Sequence, residues 1–306
     1  MCRRRSWLYS VLLATLKLEQ HPRLTTIAMN QPKRIFIFDS PRTRSQLFNK
    51  VFARHPQLSQ VFHPFYKAGG LGPERLTARF QQCQAADDVQ LAMTQKPDMD
   101  VETFDKAFQD LVAQAQENEW EGMGQSLWIK EHVFNCVNPE VIVALAKDPA
   151  SKPEPGKNIT NMSDEFLDSL TPVFLIRHPA LMTPSWYRAQ KLTLREDVRD
   201  ESFRVFSSLR WARLLFDHFC ARAGEVPLLL DGEQMVAHPE AVIHNLCERL
   251  DLDRAYAKFR WNVVSEEKQA SLDLMQRHFF RDLMSSDGID SSKAVGAPHS
   301  SQSHPC

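Results

Sequence analysis

One stretch constrains this chain more than any other: RIFIFDSPRTRSQLF, residues 34–48. Ile35, Phe36, Ile37 and Phe38 form an unbroken run of β-branched and aromatic residues, the pattern of a strand covered on both faces, as in a parallel sheet. Asp39, Ser40 and Pro41 interrupt the run. After Arg42, Thr43, Arg44 and Ser45 the apolar spacing Leu47, Phe48, Val51, Phe52 is helical and predicts a first helix over 46–55. A strand that turns directly into a helix offers an anion unpaired backbone N–H groups and the positive end of the helix dipole. Two arginines and two hydroxyls between residues 42 and 45 make phosphate the natural anion. The sequence GxxxxGK[ST] is absent, which argues against an ordinary ATPase or kinase.

The rest of the chain repeats this alternation. Residues 55–76, rich in Pro, Gly and aromatics, read as a long irregular loop of the kind that carries function. Val101, Phe104, Phe108, Leu111, Val112 and Ala115 predict a helix over 101–120. Strands are expected within 126–137, 172–179 and 226–232, with an exposed loop over 148–163. Helices are expected over 202–223, 239–250 and 266–283. Strands alternating with helices imply an α/β fold of three α/β/α layers around a central, mainly parallel sheet. Ligands of such sheets sit at the carboxyl ends of the strands. Three strand ends carry basic groups here: residues 41–45, Lys130 to His132, and Arg177.

Composition excludes little. A chain of 306 residues with 43% hydrophobic content can bury a full core, and its net charge of −1 gives no reason to expect nucleic acid or a membrane surface as partner. The six cysteines are scattered without a CxxC pair, so neither a disulfide framework nor a metal site is expected. Residues 3–14 have a basic start and a short apolar run that superficially resembles a signal or anchor, but the run is shorter than the roughly 20 residues a membrane span needs. Residues 1–28 are therefore read as an extension ahead of a domain over 29–284. The polar tail 285–306 is expected to be disordered. A cytoplasmic location without stable membrane insertion is the default, with an N-terminal signal as its alternative.

Taken together, these segments resemble the sulfotransferases that use 3′-phosphoadenylyl sulfate, a branch of the P-loop nucleotide-binding fold, over about residues 33–252. PRTRSQ stands where that family has a PKSGTT- or PRSGTT-like loop. RHPALMTPS supplies an arginine at a strand end, Arg177, with a serine eight positions later, Ser185. Lys130, Glu131 and His132 match the family's Lys-x-His, and residues 228–252 resemble its late strand and helix. Arg44 stands where the family loop usually has glycine, and Gln46 replaces a common threonine. The glycine-rich C-terminal donor segment of cytosolic members is not recognisable.

The resemblance implies an enzyme that moves a sulfo group from 3′-phosphoadenylyl sulfate, without a metal, to a hydroxyl of a small molecule. Within it, His132 would take the acceptor's proton, and Arg42 and Lys130 would stabilise the leaving phosphate and the transferring sulfuryl oxygens. Thr43, Arg44, Ser45, Gln46 and the loop N–H groups would hold the 5′-phosphate, and Arg177 with Ser185 the 3′-phosphate. The apolar, aromatic segment after the first helix favours an aromatic or lipophilic acceptor, with His63, Phe65 and Tyr66 as pocket residues; a role in specialised metabolism would suit such an enzyme. The departures keep two other readings open: a degenerate P-loop protein that binds a nucleotide or metabolite as a scaffold, and a nucleotide-dependent phosphotransferase.

Overall fold

A computed structural model of the chain describes residues 32–80, 88, 101–120, 124–154, 156–193, 197–223, 226–272 and 274–294. The expectations for residues 1–28 lie outside the described residues. Among those described, five strands form one parallel sheet: β1 (Arg34–Asp39), β2 (Leu58–Phe62), β3 (Ser126–His132), β4 (Leu170–Ile176) and β5 (Leu228–Asp231), in the spatial order β2-β3-β1-β4-β5.

The apolar run that opened the sequence is the central strand. Ile35, Phe36, Ile37 and Phe38 are all fully buried, and the strand's two-residue period divides them between two cores. Phe36 and Phe38 join the core that holds Phe174 and Phe219, with Phe38 stacked on Phe174 at 5.0 Å. Ile35 and Ile37 join Phe48, Phe52, Trp128 and Met235 on the other face. Burying these four side chains contributes about 6–12 kcal/mol on area grounds, an upper figure because the unfolded chain is partly collapsed.

Helices cover both faces. Helix α1 (Ser45–Phe52) follows β1 and packs on the Ile35/Ile37 face. Helices α2 (Phe104–Trp120) and α4 (Arg210–Ala223) contribute to the opposite core, and α3 (Pro179–Thr193) follows β4. Helices α5 (Gly232–Ala237) and α6 (Pro239–Leu250) return to the first face, and α7 (Leu274–Met284) packs near α1 and α3. The connection out of β1 thus leaves on one face and that out of β3 on the other, which makes the carboxyl end of β1 the reversal point where such sheets bind ligands.

Four sequence expectations change, the first being that the helix expected over 266–283 is two, Glu266–Ala270 and α7. Residues 55–76 are not an irregular loop: they contain β2, a helix (Tyr66–Leu71) and the start of a 3-10 turn (Leu76–Arg79). Strand β2 is an edge strand whose residues after Leu58 are only half-buried, so it has no strong apolar signature. The helix expected over 202–223 is two, Glu201–Phe206 and α4, because the Ser208 hydroxyl accepts the Arg210 N–H at 3.1 Å and begins a new helix. Residues 285–294 are ordered. Trp261 N–H donates to the Asp287 carbonyl, Ile289 N–H donates to that of Phe259, and Ser291–Lys293 forms a 3-10 turn against α5. Residues 295–306 lie outside the described part.

Candidate active site

Register places the first pair of functional groups. Asp39, the last residue of β1, lies opposite His132, the last residue of β3. Asp39 is fully buried, and its Oδ1 lies 2.8 Å from His132 Nδ1 and 3.2 Å from Lys130 Nζ. Burial alone would raise its pKa, but the Lys130 and His132 charges and the hydrogen bonds outweigh that and hold Asp39 below the usual carboxylate range. An ionised Asp39 only accepts, so His132 carries its proton on Nδ1 and leaves the Nε2 lone pair free. The His132 side chain is 20% exposed and lies on the wall of a cleft of about 1770 Å³.

Lys130 stands behind that wall. It is fully buried, with Nζ 2.9 Å from His63 Nε2 and 5.2 Å from the centre of the Phe62 ring. Burial pushes its pKa down, opposed by Asp39 and Glu131. His63 in turn sets Nδ1 2.8 Å from Glu131 Oε1. Burial, then the Lys130 and His132 charges, drives the His63 pKa well below its ordinary value. His63 and Tyr66 line the cleft, whereas Phe65 is fully buried in the core.

The loop after β1 forms the opposite, basic end. Arg42 donates from Nε to the Ser185 hydroxyl at 2.9 Å, and its guanidinium lies 5.8 Å from the Phe279 ring centre on α7. Thr43 is fully buried, with its hydroxyl donating to the Ser40 carbonyl at 2.8 Å. Arg42, Arg44, Ser45, Gln46, Arg177 and Ser185 all line the cleft. Arg177 donates from Nε to Glu233 Oε1 at 2.6 Å and from a terminal nitrogen to the Arg42 carbonyl at 3.1 Å. Burial, and then the neighbouring Arg44 charge, lower the Arg177 pKa; burial also lowers that of Arg42.

Arg44 explains how the loop dispenses with glycine. Its φ of 68° is left-handed, a conformation that costs an L-residue about 1–2 kcal/mol. The same residue makes a two-pronged ion pair with Glu233, at 2.7 and 3.1 Å, and donates to the Lys293 carbonyl at 2.9 Å. Charge-assisted paired bonds of this kind offset the strain. Gly232 lets α5 approach: a Cβ there would lie 2.4 Å from the Thr43 carbonyl oxygen.

The structure therefore brings Arg42, Arg44, Ser45, Gln46, His63, Tyr66, His132, Arg177 and Ser185 to one cleft and sets Thr43, Lys130 and Phe65 behind its surface. Sequence reasoning missed Asp39, Glu131, Glu233 and Phe279 as members. An acid ending a buried strand beside a Lys-x-His strand end was the available signal for Asp39. Glu233 had none beyond its place after a strand, because its partners lie 189 and 56 residues away. Among the described residues no group of three His, Cys, Asp or Glu side chains could hold a metal ion, and no helix is long and apolar enough to cross a membrane.

No family model matches the chain. It is similar to sulfotransferase ppzF of Metarhizium majus (strain ARSEF 297), 27% identical over 297 residues, covering 86% of this chain and 84% of that protein. Sulfotransferase ppzF of Metarhizium rileyi (strain RCEF 4871) is 27% identical over 302 residues, with the same shares covered. Among solved structures, the sulfotransferase domain from the Synechococcus PCC 7002 olefin synthase is 18% identical, with 92% of this chain and 94% of that one covered and a TM-score of 0.44.

Proposed function

We propose that this chain, similar to two sulfotransferases, is a sulfotransferase whose donor is 3′-phosphoadenylyl sulfate and whose acceptor is a hydroxyl on a small aromatic or lipophilic molecule. The observation that carries this reading is one cleft with two chemically distinct ends: an imidazole oriented by a buried carboxylate, and a loop rich in guanidinium groups.

The basic end fits a donor with several anionic groups. Arg44 and Arg177 share the single carboxylate of Glu233 and so keep a net positive charge between them. Arg42, Arg44, Ser45, Gln46 and the first N–H groups of α1 would hold the 5′-phosphate end, with Thr43 shaping the loop from beneath. Arg177 and Ser185 would hold the 3′-phosphate, and that contact would separate this donor from ATP. When bound, the donor supplies a sulfo group already activated by its anhydride link to phosphate.

The remaining chemistry falls to the chain's own side chains. His132 Nε2 takes the acceptor's hydroxyl proton as the new S–O bond forms and the anhydride S–O bond breaks, and the bond from Nδ1 to Asp39 stabilises the imidazolium. Arg42 neutralises charge that collects on the leaving phosphate oxygen. Lys130 supports that field from behind the wall. Phe62, Tyr66, Phe134 and Phe206, which line the cleft on the His132 side, favour an apolar acceptor body.

Calorimetric titration with 3′,5′-bisphosphoadenosine, 5′-AMP and ATP tests the donor site without an acceptor. The bisphosphate binds most tightly, and Arg177→Ala abolishes that preference. Equal binding of all three nucleotides to the wild type would move the scaffold reading ahead.

A further inference from the structure

Lys130 and His63 are buried, titratable and joined to the site, yet neither reaches the reacting groups in the scheme above. They belong to a continuous hydrogen-bonded line: Glu131 Oε1 to His63 Nδ1 at 2.8 Å, His63 Nε2 to Lys130 Nζ at 2.9 Å, Lys130 Nζ to Asp39 Oδ1 at 3.2 Å, and Asp39 Oδ1 to His132 Nδ1 at 2.8 Å. Three segments far apart in sequence supply its members: the turn after β2, the end of β3 and the end of β1.

Donor and acceptor identities along the line are fixed by chemistry. An ammonium only donates, so His63 Nε2 must accept, which puts the His63 proton on Nδ1 and directs it to Glu131. Glu131 is fully buried and also receives the backbone N–H groups of Phe65, at 2.8 Å, and His132, at 2.6 Å, together with the Asn135 amide at 3.1 Å. Four converging donors leave it nothing to donate to, which holds it as an acceptor and anchors the His63 ring. The ring centres of His63 and His132 lie 4.6 Å apart, so a second proton on His63 would oppose one on His132.

We propose that His63 is a positioning residue: as a fixed Nδ1–H imidazole it holds the Lys130 ammonium at one distance from Asp39, and so sets how much of the Asp39 charge is left to orient and charge His132. In this arrangement Lys130 tunes the base rather than touching the transferring group. The titratable and charged groups around His132 are Asp39 from β1, Lys130 and Glu131 from β3, His63 from the turn after β2, and, behind Glu131, the Cys136 thiol. The proposal rests on His132 being the base of the sulfo transfer, but the line of bonds can be read without any turnover.

The test is long-range nitrogen–proton NMR of the full chain with labelled histidines, followed over pH. His63→Gln and His132→Asn assign the two rings. In the wild type His63 shows the neutral Nδ1–H form throughout, and His132 shows a hydrogen-bonded proton on Nδ1. Lys130→Met removes the cation that shares Asp39 with His132, so the His132 Nδ1 proton resonance moves downfield as its bond to Asp39 tightens, and His63 loses its fixed Nδ1–H form. His63→Leu strips Lys130 of an acceptor and leaves it to crowd Asp39, so the His132 Nδ1 proton resonance moves upfield; His63→Gln, whose amide oxygen can accept, restores the wild-type position.

An Nε2–H form of His63 in the wild type overturns the proposal. So does a His132 Nδ1 proton resonance that stays put in both Lys130→Met and His63→Leu. Thermal unfolding checks that each variant is folded, and His63→Gln remains informative if His63→Leu is not. Bisphosphate calorimetry on the same proteins separates the two readings: loss of nucleotide preference in the wild type sinks the donor assignment and leaves the NMR result standing.

Discussion

Asp39→Asn removes one charge and almost no volume from the most enclosed ion pair of the site. The residue is fully buried and serves both Lys130 and His132 through the same oxygen. Removing one partner of a buried pair leaves the other charge uncompensated and costs about 3–5 kcal/mol. For a domain whose whole stability is about 5–15 kcal/mol, that is a large fraction. The pH dependence gives a second, independent reading. The Asp39 pKa is held below its ordinary 3.8, with the Lys130 and His132 charges and the hydrogen bonds outweighing burial. A folded pKa below the unfolded one means stability that is fully present above the unfolded value and lost as pH falls from there through the folded value. Urea unfolding from neutral pH down to about pH 3 should therefore show wild type losing stability in acid below about pH 4, and Asp39→Asn lacking that component of the slope while already weaker at neutrality. A variant within about 1 kcal/mol of wild type at neutral pH, with a parallel acid slope, would refute the reasoning that the carboxylate is ionised and paired in the folded chain.

Other perturbations probe the basic end. Glu233→Gln leaves Arg44 and Arg177 without their shared carboxylate and lowers stability by about 2–4 kcal/mol in urea unfolding; adding Arg44→Gly recovers about 1 kcal/mol of it by relieving the left-handed backbone. Gly232→Ala pushes a methyl against the Thr43 carbonyl and weakens bisphosphate binding at least about tenfold in calorimetry, equivalent to about 1.4 kcal/mol. His132→Ala leaves bisphosphate affinity unchanged but lowers sulfo transfer by about 10²–10⁴-fold, the usual contribution of a positioned base.

How much of this was legible depends on whether a residue's environment is local. The Ile35–Phe38 run needs burial on both faces whatever else the chain does, and it became the central strand. Pro239 to Leu250 also ran as read, with Pro at its first turn and Asp251 in the left-handed conformation at its end. Strand β2 was hidden because half-burial at a sheet edge leaves no alternation to detect. The break at residues 207–209 was hidden because the apolar spacing continues across it while one serine hydroxyl restarts the helix. Residues 285–294 looked too polar to order themselves, yet their backbone groups pair with Phe259 and Trp261 and the Lys293 carbonyl holds Arg44.

The site divides in the same way. Arg42, Ser45, His132, Arg177 and Ser185 could be singled out because each sits at a strand end or a fixed spacing from one. Asp39 was signalled only by its place at the end of a buried strand, its partner being set by register across the sheet, and Glu233 could not be found, since what makes it a member is two arginines from other segments. The left-handed Arg44 is the sharpest example. From sequence it was a departure at a position where glycine is usual, and in the fold it is an anchored residue that ties the loop to α5 and to the C-terminal turn.

The most direct test of the account is incubation of the purified chain with 3′-phosphoadenylyl [³⁵S]sulfate and a panel of phenols and aliphatic alcohols, beside His132→Ala. Label on at least one hydroxylated acceptor is expected, with release of 3′,5′-bisphosphoadenosine in equal amount and loss of both in the variant. Label transfer that persists undiminished in His132→Ala would contradict the assignment of the base, and bisphosphate calorimetry that shows no binding would contradict the donor.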